Sequence, residues 1–298
     1  MSSEQRVIRH CNRSRNVFLL VIKENHGFGL KGKRVIITGG SRGMGRAIGE
    51  VFLREGAVVS FCSRTANMAP EDEDPRLGGD VRTDGVEQAE AKMRALGEVY
   101  GSVVDAANRE QLAAWVTHAA ETMGGIDVVV SNTSALGSQP RTPEGWQRQF
   151  DVDIMSAVTL WDTAYPFLKQ SGAGAFIQVS TITALDYHAY GKGSQSYGAL
   201  KGALVNYVCQ LAYEYMSEGI RANTVSPGPI FVEGGSWDKI QRALPDYYDE
   251  NIARQPSGRL GRADEVADVV AFLASPRSSW VTGENVVIDG GFTKYIKY

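Results

Sequence analysis

Hydrophobic positions along the chain fall into short continuous runs separated by longer amphipathic stretches. From Lys33 onward the runs at 34–38, 58–62, 99–104, 126–130, 175–180, 221–226 and 286–289 are mostly β-branched and buried in character. Such runs suit strands buried on both faces. Most gaps between them hold apolar residues at helical spacing, which predicts repeated strand–helix units and a parallel sheet covered by helices on both sides. The predicted class is α/β, with seven parallel strands in a doubly wound sheet and one domain over residues 30–298.

Two stretches interrupt the alternation. Residues 1–29 precede the first strand and read as a loose tail or an added strand. Residues 67–85 carry Glu71, Asp72, Glu73 and Asp74 between Pro70 and Pro75, then Gly78 and Gly79, which favours a solvated acidic loop. No internal repeat is present. The net charge of −3 over 298 residues, with 22% charged and 43% hydrophobic, fits an ordinary soluble enzyme and gives no electrostatic reason to bind nucleic acid. Cys11, Cys62 and Cys209 are odd in number and widely spaced, with no paired metal-ligand pattern, so a reduced, cytoplasmic protein without a metal is expected. The apolar run at 17–22 is far shorter than the roughly 20 residues of a membrane span. Arg6, Arg9, Arg13 and Arg15 leave an organellar transit segment open, although Glu4 and Glu24 dilute its pattern.

Chemistry enters directly after the first strand, at Thr38-Gly39-Gly40-Ser41-Arg42-Gly43-Met44-Gly45, which leads into a helical run. A glycine turn between a buried strand and a helix lets backbone N–H groups and the positive helix end meet a pyrophosphate. Gly39, Ser41, Arg42, Gly43, Met44 and Gly45 are therefore candidate dinucleotide contacts in a Rossmann-type sheet. Gly27, Gly29 and Gly32 share the glycine spacing but precede a strand, so they fail the test of context. After the second strand an acid would hold the ribose 2′-hydroxyl of NAD. Here Ser63-Arg64 stands in its place, and Arg64 with Arg42 favours the 2′-phosphate of NADP over NAD. The acidic run at 71–74 carries the opposing charge.

Tyr197 and Lys201, four residues apart on the helix after the fifth strand, share one helical face. A free phenol titrates near about 10, and the Lys201 ammonium is expected to pull it down into the range of a proton shuttle. Tyr165 and Lys169 repeat the spacing but stand before the fifth strand and enclose Pro166, so they read as structural.

With these features in place, residues 30–291 resemble the single-domain branch of the short-chain dehydrogenase/reductase family. The resemblance implies reversible hydride transfer between NADP(H) and a small ketone, aldehyde or alcohol, and a homotetramer or homodimer. It implies Tyr197 as general acid, Lys201 on the nicotinamide ribose, Asp105 and Ala106 near the adenine, Asn132 and Thr133 after the fourth strand, and Pro227, Gly228 and Ile230 after the sixth. Four positions depart from the family. Ser131-Asn132-Thr133-Ser134 replaces Asn-Asn-Ala-Gly, Val232 replaces a threonine, and Asp153 replaces a helix asparagine whose role is expected to pass through backbone. At the catalytic serine, alignment of the fifth strand puts Thr181, with Ser180 as the alternative. Tyr187, His188 and Tyr190 are further pocket candidates. Residues 230–255, with Trp237, Tyr247 and Tyr248, fall where the family carries its substrate lid. A dinucleotide-binding sensor without catalysis, or an epimerase or dehydratase on the same fold, stays open at this point.

Overall fold

Successive side chains of each central strand enter opposite apolar cores, which is why the strands read as continuous hydrophobic runs. In β1 (Arg34–Thr38), Val35 and Ile37 join one cluster and Ile36 the other. Val128 and Val130 of β4 (Val128–Ser131) and Ala175 and Ile177 of β5 (Gly174–Val179) follow the first pair, while Val129 and Phe176 follow Ile36. The first core is closed by Ile48 and Phe52 of α1 (Gly43–Arg54), Met93 of α2 (Val86–Met93) and Val270 of α9 (Ala263–Ala274). The second is closed by Trp115 of α3 (Arg109–Met123), Trp161 of α5 (Ser156–Ser171) and Val208 of α6 (Gln195–Tyr215). Each such side chain contributes roughly 1.5–3 kcal/mol by leaving water.

The computed structural model describes residues 27–67, 84–136, 139–186 and 195–294. Seven parallel strands form the order β3-β2-β1-β4-β5-β6-β9, where β2 is Val58–Ser63, β3 Val99–Val103, β6 Ile220–Pro227 and β9 Asn285–Ile288. All seven predicted strands are present, and the fold is the Rossmann-type one expected. The fourth begins at Val128 instead of residue 126. The reason is Asp127, whose carboxylate accepts the Arg34 backbone N–H at 2.9 Å and its Nε at 2.8 Å at the mouth of β1.

The chain runs outward from β1 through β2 to β3, then returns to place β4 on the other side of β1. That reversal opens a crevice at the carboxyl ends of β1 and β4, the usual ligand position in such sheets. From α4 (Pro143–Gln149) a π-helical segment, Phe150–Met155, leads into α5. Beyond β6, the short strands β7 (Ile230–Phe231) and β8 (Gly261–Arg262) pair with each other and bracket α7 (Ser236–Ala243) and α8 (Pro245–Arg254), the segment expected as a lid. Most of the predicted N-terminal extension and of the acidic loop lies outside the described residues.

Candidate active site

The glycine turn occupies the crevice. Gly39 takes φ +70°, a conformation open to glycine, and its N–H donates to Cys62 O at 2.8 Å. Gly45 is needed for close approach, because a Cβ there would sit 2.2 Å from Gly39 O and 2.5 Å from Asn132 Nδ2. Asn132 braces the turn: its Nδ2 donates to Thr38 O at 2.9 Å and Gly39 O at 3.2 Å. The Asn132 and Thr133 N–H groups both donate to Thr38 Oγ1. Helix α1 then starts with no capping bond from the Arg42 side chain and no acid in its first turn. A positive helix end so presented fits a pyrophosphate. Met44 packs its side chain on the first core, leaving its backbone to the turn.

At the rim, Ser41 Oγ donates to Ser63 Oγ at 3.0 Å, joining the glycine turn to the end of β2. Burial of its guanidinium, and then the like charge of Arg64, push Arg42 below the ordinary arginine value. The two cations therefore stand close enough to repel, an arrangement that a phosphate relieves. Asp105 and Ala106 follow β3 beside this rim, where Val104 N–H donates to Ser63 O at 2.9 Å. The residues present thus fit a dinucleotide.

The chemical cluster lies at the carboxyl end of β5. The Tyr197 phenol is near enough to the Thr181 side chain to interact with it, and Thr181 Oγ1 lies 3.1 Å from Thr183 Oγ1. Ser180 is turned the other way, its Oγ donating to Lys201 O at 3.3 Å. Of the two alternatives, Thr181 is the one beside the phenol. Gly198 permits this meeting, since a Cβ on it would come within 2.8 Å of Thr183 O. Lys201 is buried, with Nζ donating to Val179 O at 3.0 Å and paired with Asp153 Oδ1 at 2.9 Å.

Two expectations are corrected here. Asp153 meets Lys201 through its side chain, where the sequence left its role to backbone; the π-helical segment carries the buried carboxylate, and such segments recur at functional sites. The Tyr197 phenol is also held above its usual value, not below it. Burial is the main cause, and the Asp153 charge opposes the lowering effect of Lys201. Sequence reasoning missed Gln149, wholly buried, whose Nε2 donates to Asp153 Oδ2. The four-residue spacing was its only signal.

Other candidates fall in different places. Tyr165 and Lys169 do meet, at 3.4 Å, but both turn to Glu218 just before β6, at the amino ends of the strands, so the second tyrosine–lysine pair is outside the crevice. Gly228 N–H donates to Ile288 O at 2.9 Å, which fixes the exit from β6 after Pro227. Ile230 packs its side chain on the first core, while Val232 reaches over the glycine turn toward Gly43. Trp237 faces Tyr247 and Tyr248, with ring centroids 6.4 and 6.3 Å away. Tyr187, His188, Tyr190 and the acids at 71–74 lie outside the described residues. No group that could hold a metal occurs among the described residues.

Residues 39–293 match the family described as enoyl-(acyl carrier protein) reductase. The chain belongs to the short-chain dehydrogenase/reductase family. It is 38% identical over 262 residues to isoepoxydon dehydrogenase of Aspergillus clavatus, covering 88% of this chain and 95% of that relative. A short-chain dehydrogenase from Burkholderia cenocepacia in complex with NADP is 25% identical, with a TM-score of 0.74 over 88% of this chain and 98% of that one. 7α-Hydroxysteroid dehydrogenase complexed with NADH and 7-oxoglycochenodeoxycholic acid has a TM-score of 0.76 at 23% identity, covering 91% and 98% of the two chains. The protein is thus an oxidoreductase of a family that uses NAD(P) on small alcohols and ketones. No helix among the described residues is long and apolar enough to cross a membrane.

Proposed function

We propose that this member of the short-chain dehydrogenase/reductase family interconverts a ketone or aldehyde and the corresponding alcohol with NADP(H), Tyr197 carrying the proton. The observation that carries this reading is the connected set Thr181–Tyr197–Lys201 at the crevice edge, beside the glycine turn. When bound, the cofactor supplies or takes back the hydride at the carbonyl carbon. Thr181 and Tyr197 present adjacent hydroxyls that together bind a carbonyl oxygen and stabilise its developing negative charge. In reduction the Tyr197 O–H bond breaks, the proton passes to the substrate oxygen, and the phenolate left beside Lys201 is reprotonated from solvent. In oxidation the same phenolate takes the proton of the alcohol. Lys201, hydrogen-bonded to Val179 O and ion-paired with Asp153, would meet the nicotinamide ribose.

Gly39, Gly43 and Gly45 would cradle the pyrophosphate, and Asp105 and Ala106 would line the adenine side. Pro227, Gly228 and Ile230 would line the nicotinamide side. Support for NADP over NAD comes from Ser63-Arg64 at the end of β2, where no acid stands, and from the paired cations Arg42 and Arg64. Association as a homodimer or tetramer is part of this reading by resemblance to the family. A cytoplasmic site of action is supported by the free thiols Cys62 and Cys209.

The test is a fluorescence titration with NADPH and NADH followed by a panel of carbonyls and alcohols that includes isoepoxydon. Tighter binding of NADPH with turnover of at least one panel member is expected. Tight NADPH binding with no turnover across the panel would instead identify a sensor, and a preference for NADH would remove the role given to Arg42 and Arg64.

A further inference from the structure

The Lys201–Asp153 contact is the one ion pair among the described residues whose two side chains are both almost wholly buried, 2% and 0% exposed. The carboxylate is held from three elements. Its Oδ1 faces Lys201 Nζ of α6, while Oδ2 accepts the Ala135 N–H at 3.1 Å after β4 and the Gln149 amide of α4. Lys201 is in turn tied to Val179 O at the end of β5. Nothing in this set is free to move away, so a full negative charge is fixed against the one cation beside the phenol.

We propose that Asp153 is a positioning residue that sets the charge at the site: by neutralising Lys201 it keeps Tyr197 a proton donor through neutral pH, so that carbonyl reduction runs there and alcohol oxidation requires alkaline solution. This rests on the function proposed above for Tyr197. The charges acting on the phenol are Lys201, on its own helix, and Asp153, across from it, while Thr181 is a neutral neighbour. The raised phenol described above agrees with that balance. With Asp153 made neutral, the Lys201 ammonium acts unopposed and the phenolate is favoured.

The test is Asp153→Asn, which keeps the shape and an oxygen acceptor while removing the charge. Rates of reduction and oxidation are followed against pH, and the tyrosinate absorbance of the cofactor-free protein is titrated with and without Tyr197→Phe to isolate that phenol. The fall of reduction with pH, the rise of oxidation and the isolated tyrosinate step should all move to lower pH by about one unit or more. Asp153→Glu, which restores the charge, should bring the tyrosinate step back toward the parent. An unmoved step, including one accompanied by a uniform loss of rate at every pH, overturns the proposal and marks Asp153 as structural only. Should Asp153→Asn not give a cooperative unfolding transition, Asp153→Ser is judged by the same criterion. The tyrosinate arm needs no turnover, so a shift there with an inactive protein counts against the proposed reaction and not against the role of Asp153.

Discussion

Gly45 and Gly49 lie one turn apart on α1, yet the same substitution should act on them with opposite sign. At Gly45 the new methyl would stand 2.2 Å from Gly39 O and 2.5 Å from Asn132 Nδ2, well inside any ordinary contact. Neither neighbour is the end of a flexible chain: one is backbone, and the other is tied to Thr38 O and Gly39 O. The turn must open and part of the Asn132 brace must break. Overpacking of this kind costs roughly 1–3 kcal/mol and a lost hydrogen bond about 1 kcal/mol, against about 1 kcal/mol gained by alanine in a helix. Gly45→Ala should therefore lose about 2 kcal/mol of stability and bind NADPH at least about tenfold more weakly, since the moved N–H groups are those offered to the pyrophosphate. At Gly49 the nearest atom is Met93 Sδ at 3.4 Å, an ordinary contact with a pliable side chain. Gly49→Ala should gain about 0.5–1 kcal/mol and leave binding unchanged. Urea unfolding with unchanged slope and a fluorescence titration read both quantities. A Gly45→Ala protein as stable and as tightly binding as the parent would refute the steric reasoning, as would a Gly49→Ala protein that loses more than it.

Replacing either Arg42 or Arg64 alone by alanine should weaken NADPH about 10- to 100-fold in a titration while leaving NADH within about twofold, as each charge-assisted bond to phosphate is worth about 1.5–3 kcal/mol. Thr181→Ala should lower turnover by about a hundredfold or more and Thr181→Ser should restore most of it, whereas Ser180→Ala should have the smaller effect, read from kcat on any active substrate. Burial disfavours the Asp127 charge, but Arg34, Ser171 and Lys33 outweigh it and hold the carboxyl far below the usual range. A depressed carboxyl stabilises the fold above its unfolded value near about 4 and ceases to do so as pH falls through the folded value. Asp127→Asn should thus cost about 1–2 kcal/mol at neutral pH, a figure discounted because its partners Arg34 and Lys33 are partly exposed, and its thermal stability should converge on that of the parent on acidification.

The strands at the centre of the sheet were legible because they are buried on both faces and carry apolar runs, Val35-Ile36-Ile37 and Val128-Val129-Val130 being the clearest. Tyr197, Lys201 and the glycine turn were legible because their chemistry is set by local spacing. The state of the tyrosine was not. Its acidity depends on burial and on Asp153, which a π-helical segment far along the chain turns toward Lys201, and no local pattern at Phe150–Met155 announces that segment. The choice between Ser180 and Thr181 also required the fold, since adjacent residues leaving a strand point to opposite sides and only the structure shows Ser180 turned to Lys201 O. The limits of β4 were misjudged because Asp127 takes over a strand-end N–H with its side chain.

The most direct measurement is the turnover of Tyr197→Phe beside its affinity for NADPH. The phenylalanine keeps the ring and removes the proton. Turnover should fall by about two to four orders of magnitude, the usual loss for a general acid, with NADPH binding unchanged within about threefold. Undiminished turnover with intact binding would contradict the assignment of the proton to Tyr197.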